Sequence, residues 1–182
     1  MKARTASPGA LELCELIRDI VDFPKPGILF RDITPLLADP AAYHEAIRRM
    51  SVRVEHPDAV VAIESRGFLF GSGLALAWRV PLVPARKFGK LPGRTVREVY
   101  SLEYGEDTLE IQADALRPGQ RVVIVDDLLA TGGTAEATAR LVQQLRAEVV
   151  ALLFFIELRG LGGREKLAPW PVDALIGYDV TV

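Results

Sequence analysis

Val122-Val123-Ile124-Val125-Asp126-Asp127-Leu128-Leu129-Ala130-Thr131-Gly132-Gly133-Thr134 reads as an apolar strand that ends in two acids and a small-residue loop opening a helix. In an open parallel sheet, the loop at the carboxyl end of a strand is where ligands bind. Thr131, Gly132, Gly133 and Thr134 offer backbone N–H groups and hydroxyls at a helix N-terminus, which suits a phosphate. Carboxylates at Asp126 and Asp127 would repel a polyphosphate unless they faced something else, and two vicinal sugar hydroxyls are their natural partners. The stretch therefore expects a sugar phosphate. It is not a Walker loop, because the Gly-Lys-Ser/Thr ending is absent, nor a dinucleotide fingerprint, because the Gly-x-Gly-x-x-Gly spacing is absent. The bland alternative is a strand–turn–helix corner with solvated acids and capping threonines.

Around this stretch, short apolar strands alternate with helices. Strands read at 59–63, 82–85, 121–125, 149–156 and 173–176, with a small-residue helix over 68–78 and another over 134–146. That alternation predicts an α/β fold with a mostly parallel sheet flanked by helices. Asp39-Pro40 is a helix start, and Tyr43, Ile47, Met50 and Val54 fall on one face of the helix it opens. Ser7-Pro8 gives a second start, with Leu13, Leu16, Ile17, Ile20 and Val21 at helical spacing and Cys14 packing among them. Pro24, Pro26 and Gly27 make 23–32 a shaped connector. Between Lys87 and Gly119 the rhythm breaks into two period-2 runs, Val96 to Leu102 and Leu109 to Ala113, which predict a projecting, mobile hairpin.

Composition narrows the function classes. The chain has 182 residues, 49% of them apolar and 25% charged, which fits one soluble domain. Its 22 basic and 24 acidic residues give a net charge of -2, against a nucleic-acid binder that relies on bulk positive field. The longest uncharged run, Gly67 to Trp78, is 12 residues, short of the ~20 that span a bilayer. One cysteine cannot form an intrachain disulfide, so a reducing, cytoplasmic setting is expected. His44 and His56 lack the companions a metal site needs and read as surface residues.

The stretch at 122–134 resembles the signature of the phosphoribosyltransferases that use 5-phosphoribosyl-1-diphosphate (PRPP). The resemblance implies that Asp126 and Asp127 take the ribose hydroxyls, while Ala130, Thr131, Gly132, Gly133 and Thr134 cradle the 5-phosphate. Glu64-Ser65-Arg66-Gly67 follows the strand at 59–63 and so lies at the same sheet edge. Alone it would read as a surface pair capping a helix; in this family the equivalent loop, often with a non-proline cis peptide, holds the diphosphate through Ser65 and Arg66. Arg86-Lys87-Phe88-Gly89-Lys90-Leu91-Pro92 is similar to the Arg-Lys-x-Gly-Lys-Leu-Pro run of the adenine-specific members, which assigns Arg86, Lys87 and Lys90 to diphosphate as well. Phe88 departs from that pattern, where a second basic side chain is common, and Arg94 adds a base nearby.

Tyr100-Ser101-Leu102-Glu103-Tyr104-Gly105, Leu109-Glu110-Ile111-Gln112 and Phe30-Arg31-Asp32-Ile33 resemble the same members, so the match runs from Phe23 to about Val150. It implies a type I phosphoribosyltransferase fold in a single domain, 1–182, with an N-terminal hood over 1–33 and the mobile hairpin over 87–119. It implies adenine bound between Phe30 and Leu128, near the Leu29 backbone and Arg31, although Phe30 and Leu128 by themselves would read as core. Glu103 would do the proton work of a reaction that joins adenine to PRPP. Mg2+ would be held mainly by PRPP or diphosphate, with no dedicated metal ligand, and the chain would form a homodimer. Two alternatives stay open: a xanthine or other 6-oxopurine enzyme, many of which carry an acid where Ala130 stands, and a non-catalytic PRPP- or nucleotide-sensing regulator. Charge is unevenly spread: Arg86 to Arg97 holds five bases and no acid, leaving 17 bases against 24 acids elsewhere.

Overall fold

The computed structural model describes residues 4–6, 11–102 and 105–180. In chain order the elements are β1 (Arg4–Ala6), α1 (Leu11–Glu15), β2 (Arg18–Val21), β3 (Leu29–Asp32), α2 (Thr34–Ala38), α3 (Pro40–Ser51), β4 (Ala59–Ile63) and α4 (Gly67–Trp78). They continue as β5 (Leu82–Lys87), β6 (Thr95–Leu102), β7 (Gly105–Gln112), β8 (Arg121–Leu129), α5 (Gly133–Gln144), β9 (Glu148–Arg159), α6 (Gly163–Lys166) and β10 (Val172–Asp179). One sheet runs β1-β10-β9-β8-β4-β5-β7-β6, and β2 and β3 form a separate antiparallel ribbon. Neighbours from β10 to β5 are parallel. β1, β7 and β6 add antiparallel margins.

Every residue of β4 is buried, as a central strand with helices on both faces requires. Strand alternation then divides the interior in two: Val60, Val123 and Val125 face the core with α3 and α4, while Val61, Val122 and Ile124 face the core with α5. Each such buried valine or isoleucine contributes about 1.5–3 kcal/mol. At α3 the expected cap is present, Ala41 N–H and Ala42 N–H donating to Asp39 Oδ1 at 3.0 Å each.

Two expectations are corrected. The helix expected after Ser7-Pro8 has its start outside the described residues and ends at Glu15; Ile20 and Val21 lie in β2 instead. Long-range pairing overrides the local spacing there. β2 aligns Arg18 with Asp32 and Val21 with Leu29, and Arg18 Nη2 donates to Asp32 Oδ2 at 2.6 Å. The strand expected to stop at Val125 continues to Leu129, because β9 goes on pairing with it as far as Glu157. Asp126 and Asp127 therefore sit within the strand. Cys14 is buried, as expected.

The hairpin is β6 and β7, with Glu103 and Tyr104 outside the described residues. It extends the sheet, β7 pairing with β5 at Arg86–Glu110 and Lys87–Leu109. On α5, Gln144 Nε2 donates to Glu98 Oε2 at 2.7 Å and fixes the hairpin base.

Candidate active site

The carboxyl ends of β4, β5 and β8 bring three of the predicted groups to one edge. After β4 the Glu64–Ser65 peptide is cis, and Arg66 occupies the position before α4. From there Arg66 Nε stands 2.9 Å from Asp127 Oδ2. Its Nη1 donates to the Arg31 carbonyl at 3.5 Å, and its Cζ lies 4.9 Å from the Phe30 ring centroid. One guanidinium thus joins the loop after β4, the acid pair of β8 and the aromatic of β3.

Contact between the loop and β8 depends on Gly67. A Cβ built there would lie 2.8 Å from both Asp126 Oδ1 and the Val125 carbonyl oxygen, nearer than any side chain tolerates. Asp127 is 4% exposed, and its backbone N–H donates to Asp126 Oδ1 at 2.8 Å. The loop beyond turns at Gly132, whose φ of 80° lies in the left-handed region. No side chain caps α5, so its first-turn N–H groups, over Gly133 to Ala135, lack acceptors within the helix and face the loop mouth. These are the groups expected from the sequence to cradle a phosphate. Support for the loop, however, comes from an unpredicted quarter: Gly163 of α6 packs directly beneath Ala130 and Gly132, so closely that no side chain fits.

The basic run starting at Arg86 is acid-free in sequence but not in space. Arg86 donates to both oxygens of Glu64 at 3.1 Å, and Lys87 N–H donates to Glu64 Oε2 at 3.0 Å. Lys87 Nζ lies 3.1 Å from Asp107 Oδ2, which also accepts from Tyr100 Oη at 3.3 Å. The Arg86 hydrogen bonds are the main reason the Glu64 carboxyl lies below its ordinary range. Asp107 raises the Lys87 ammonium above its own. Phe88 is exposed, with Arg97 Cζ 4.4 Å over its ring.

Glu64, Tyr100 and Asp107 are contributors that sequence reasoning did not assign. Their signal was weak: polar residues on strands, next to cations only after the sheet forms. Of the residues expected to hold adenine, Leu29 and Phe30 are half-buried on β3, Arg31 is buried and paired with Asp19, and Leu128 is half-buried on β8 against the core. Ser65 is exposed, and Lys90 is exposed on the turn after β5. Glu103 lies outside the described residues. No group of three or more His, Cys, Asp or Glu residues arranged to hold a metal occurs among the described residues.

Burial, then the charge of Asp127, holds the Asp126 carboxyl well above its ordinary value of 3.8. Burial raises Asp127 too, although Arg66 pulls it back. A carboxyl whose pKa rises on folding costs stability wherever it must ionise. The cost is therefore full above the folded value, shrinks as pH falls through it and is gone below the ordinary value of 3.8. Asp126→Asn keeps the acceptor for Asp127 N–H and removes the charge. It should stabilise the protein at pH 8 by about 1–2 kcal/mol, or roughly 2–8 °C in Tm by calorimetry, with the gain shrinking as pH is lowered. A loss of stability, or a gain independent of pH, would contradict the reading.

Residues 33–174 match the family model described as the phosphoribosyl transferase domain. An adenine phosphoribosyltransferase of Desulfitobacterium hafniense (strain Y51) is 54% identical over 171 residues, covering 93% of this chain and 99% of that protein. The Mus musculus adenine phosphoribosyltransferase is 54% identical over 168 residues, 90% of this chain and 93% of that protein. Among solved structures, the adenine phosphoribosyltransferase of Thermoanaerobacter pseudethanolicus superposes with a TM-score of 0.89 at 48% identity, covering 92% of this chain and 99% of that one. The Saccharomyces cerevisiae enzyme, solved with adenine and an imino-altritol bisphosphate, gives 0.85 at 43% identity, with 91% and 97% covered. With the acid pair, the phosphate cradle and the loop after β4 at one sheet edge, this chain belongs to the phosphoribosyl transferase family.

Proposed function

We propose that the chain transfers the 5-phosphoribosyl group of PRPP to N9 of adenine, giving AMP and diphosphate. The observation that carries this is the position of Arg66, which reaches from the loop after β4 to Asp127 and Phe30 at once. Base, ribose and diphosphate would lie on one continuous surface, as a displacement at the anomeric carbon demands. Relatives at about half identity over almost the whole chain are named for adenine. Ala130 in the cradle supplies no acid for 6-oxopurine chemistry, and no observation favours a sensing regulator.

Each group then has a role. The N–H groups and hydroxyls of residues 130–134 hold the 5-phosphate, while Asp126 and Asp127 accept from the ribose hydroxyls. Ser65, Arg66, Arg86, Lys87 and Lys90 stabilise the negative charge that develops on the departing diphosphate. Phe30 and Leu128 sandwich the base, with the Leu29 backbone and Arg31 at its edge. Adenine N9 attacks the anomeric carbon with inversion, through an oxocarbenium-like state. Glu103 handles the proton from the N7 side once the hairpin over 87–119 closes above the site and excludes water. Within the segment over 1–33 expected as a hood, the β2–β3 ribbon would lie over the base.

Mg2+ enters with PRPP. It would be held mainly by the oxygens of PRPP or diphosphate, with no dedicated protein ligand, and would supply neutralisation of the phosphate charge. We further propose a cytoplasmic homodimer. Leu69 and Leu76, seven residues apart on one face of α4, are 40% and 79% exposed and offer an apolar strip beside the diphosphate loop. No helix among the described residues is long and apolar enough to cross a membrane.

The test is a panel of purine bases with PRPP and Mg2+, run on the native chain and on Glu103→Gln. Adenine alone should release diphosphate rapidly. The variant should lose about 10²- to 10⁴-fold in turnover while still binding PRPP. Rapid release with hypoxanthine or xanthine would replace the adenine assignment, and unchanged turnover would remove Glu103 from the mechanism.

A further inference from the structure

Glu110 is a carboxylate at 1% exposure in the middle strand of the antiparallel margin, between Arg86 of β5 and Arg97 of β6 in register. Buried carboxylates are costly unless donors surround them, and here the donors come from the turn after β5 and from the first residues of β6. Lys90 N–H and Leu91 N–H donate to Oε1 at 3.2 and 3.1 Å, and Thr95 Oγ1 donates to Oε2 at 3.1 Å. Arg97 Nε stands 3.4 Å from Oε2. Burial pushes the carboxyl up, yet donation from Leu91, Thr95 and Gly89 and the charge of Arg97 outweigh it and leave the group below its ordinary value of 4.5. It is therefore an anion at neutral pH.

The turn that it holds carries the cations. Residues 87–94 include Gly89 and Gly93 at φ of 77° and 78°, positions with no intrinsic preference for one shape. Further ties close on it: Phe88 N–H donates to the Thr108 carbonyl at 3.0 Å, Gln112 Nε2 to the Pro92 carbonyl at 3.3 Å and Ala113 N–H to the Arg94 carbonyl at 2.9 Å. Lys90 N–H also donates to the Lys87 carbonyl at 3.2 Å, Arg86 Nη1 donates to the Lys90 carbonyl at 3.1 Å, and the Arg97 guanidinium covers Phe88. Glu110 meets both the turn backbone and Arg97. The Lys90 side chain, in contrast, is exposed and makes no ion pair among the described residues.

We propose that Glu110 is a positioning residue for diphosphate: its buried carboxylate fixes the backbone of the basic turn so that Lys87 and Lys90 are presented at one place beside Arg66. Arg97, stacked on Phe88 and drawn in by Glu110, stabilises the same turn from above. This rests on the proposed assignment of the basic turn to diphosphate. Without Glu110 the ends of the turn stay tied to β7, but its middle at Lys90 and Leu91 loses its buried acceptor, and a cation held loosely loses most of its preorganised advantage.

Titration calorimetry on the intact chain separates the possibilities, with PRPP, inorganic diphosphate and AMP as probes and Lys90→Ala as reference. AMP uses the cradle and the base site but not the diphosphate site, so it reports whether the fold is intact. Glu110→Ala should weaken PRPP and diphosphate by about tenfold or more and leave AMP within about twofold. Glu110→Gln keeps an acceptor for Lys90 N–H and Leu91 N–H and should recover most of the loss. If AMP weakens in parallel, or if PRPP and diphosphate bind Glu110→Ala normally while Lys90→Ala weakens them, the positioning role fails. If Lys90→Ala and Lys87→Ala both leave diphosphate unchanged, the assignment of the turn itself fails, and this role with it.

Discussion

Asp126 and Asp127 stand side by side at the end of a buried strand, and their surroundings are shaped by the cost of keeping two carboxylates there. Arg66 reaches Asp127 from the loop after β4, and Gly67 lets that loop come within contact of Asp126. The peptide before Arg66 and the first residue of α4 are thereby fixed relative to β8. Because the same guanidinium lies against Phe30, the β2–β3 ribbon is drawn to the same place. A buried acid pair is poor for stability. Its persistence at the ligand-binding edge of a parallel sheet is the mark of a site, where hydroxyl donors from a sugar would supply the hydrogen bonds the protein withholds.

The same logic governs the basic margin. A net charge of -2 gives the whole chain no positive field. Five bases gathered between Arg86 and Arg97 supply a local one, and the structure tempers it with Glu64, Asp107 and Glu110. These acids differ in kind. Glu64 and Asp107 hold the side chains of Arg86 and Lys87, whereas Glu110 is sunk beneath the turn, gripping its backbone and Arg97. The first two would compete with an incoming diphosphate for the cations; the third would not, because its oxygens are already occupied by N–H and hydroxyl donors.

How far the chain was legible depended on how local the determinants are. The cradle at 130–134 and the burial of β4 follow from adjacent residues, and the parallel core followed from them. The end of β8 was missed because pairing of Leu128 and Leu129 with β9 outweighs the polar break at Asp126 and Asp127. Ile20 and Val21 carry a helical spacing that a partner strand overrides. For Glu110, period 2 places it opposite Leu109 and Ile111, but nothing in the sequence says that a turn twenty residues earlier folds onto it. The α6 segment had no motif at all, and only packing reveals Gly163 beneath the phosphate loop. Glu103 was legible through resemblance alone.

The most direct test of this site is a crystal structure of the chain with AMP bound. The phosphate should lie on the N–H groups of residues 131–134, the ribose hydroxyls on Asp126 and Asp127, and the purine between Phe30 and Leu128. A phosphate seated instead on the basic turn after β5, or a purine remote from Phe30, would contradict the proposed function.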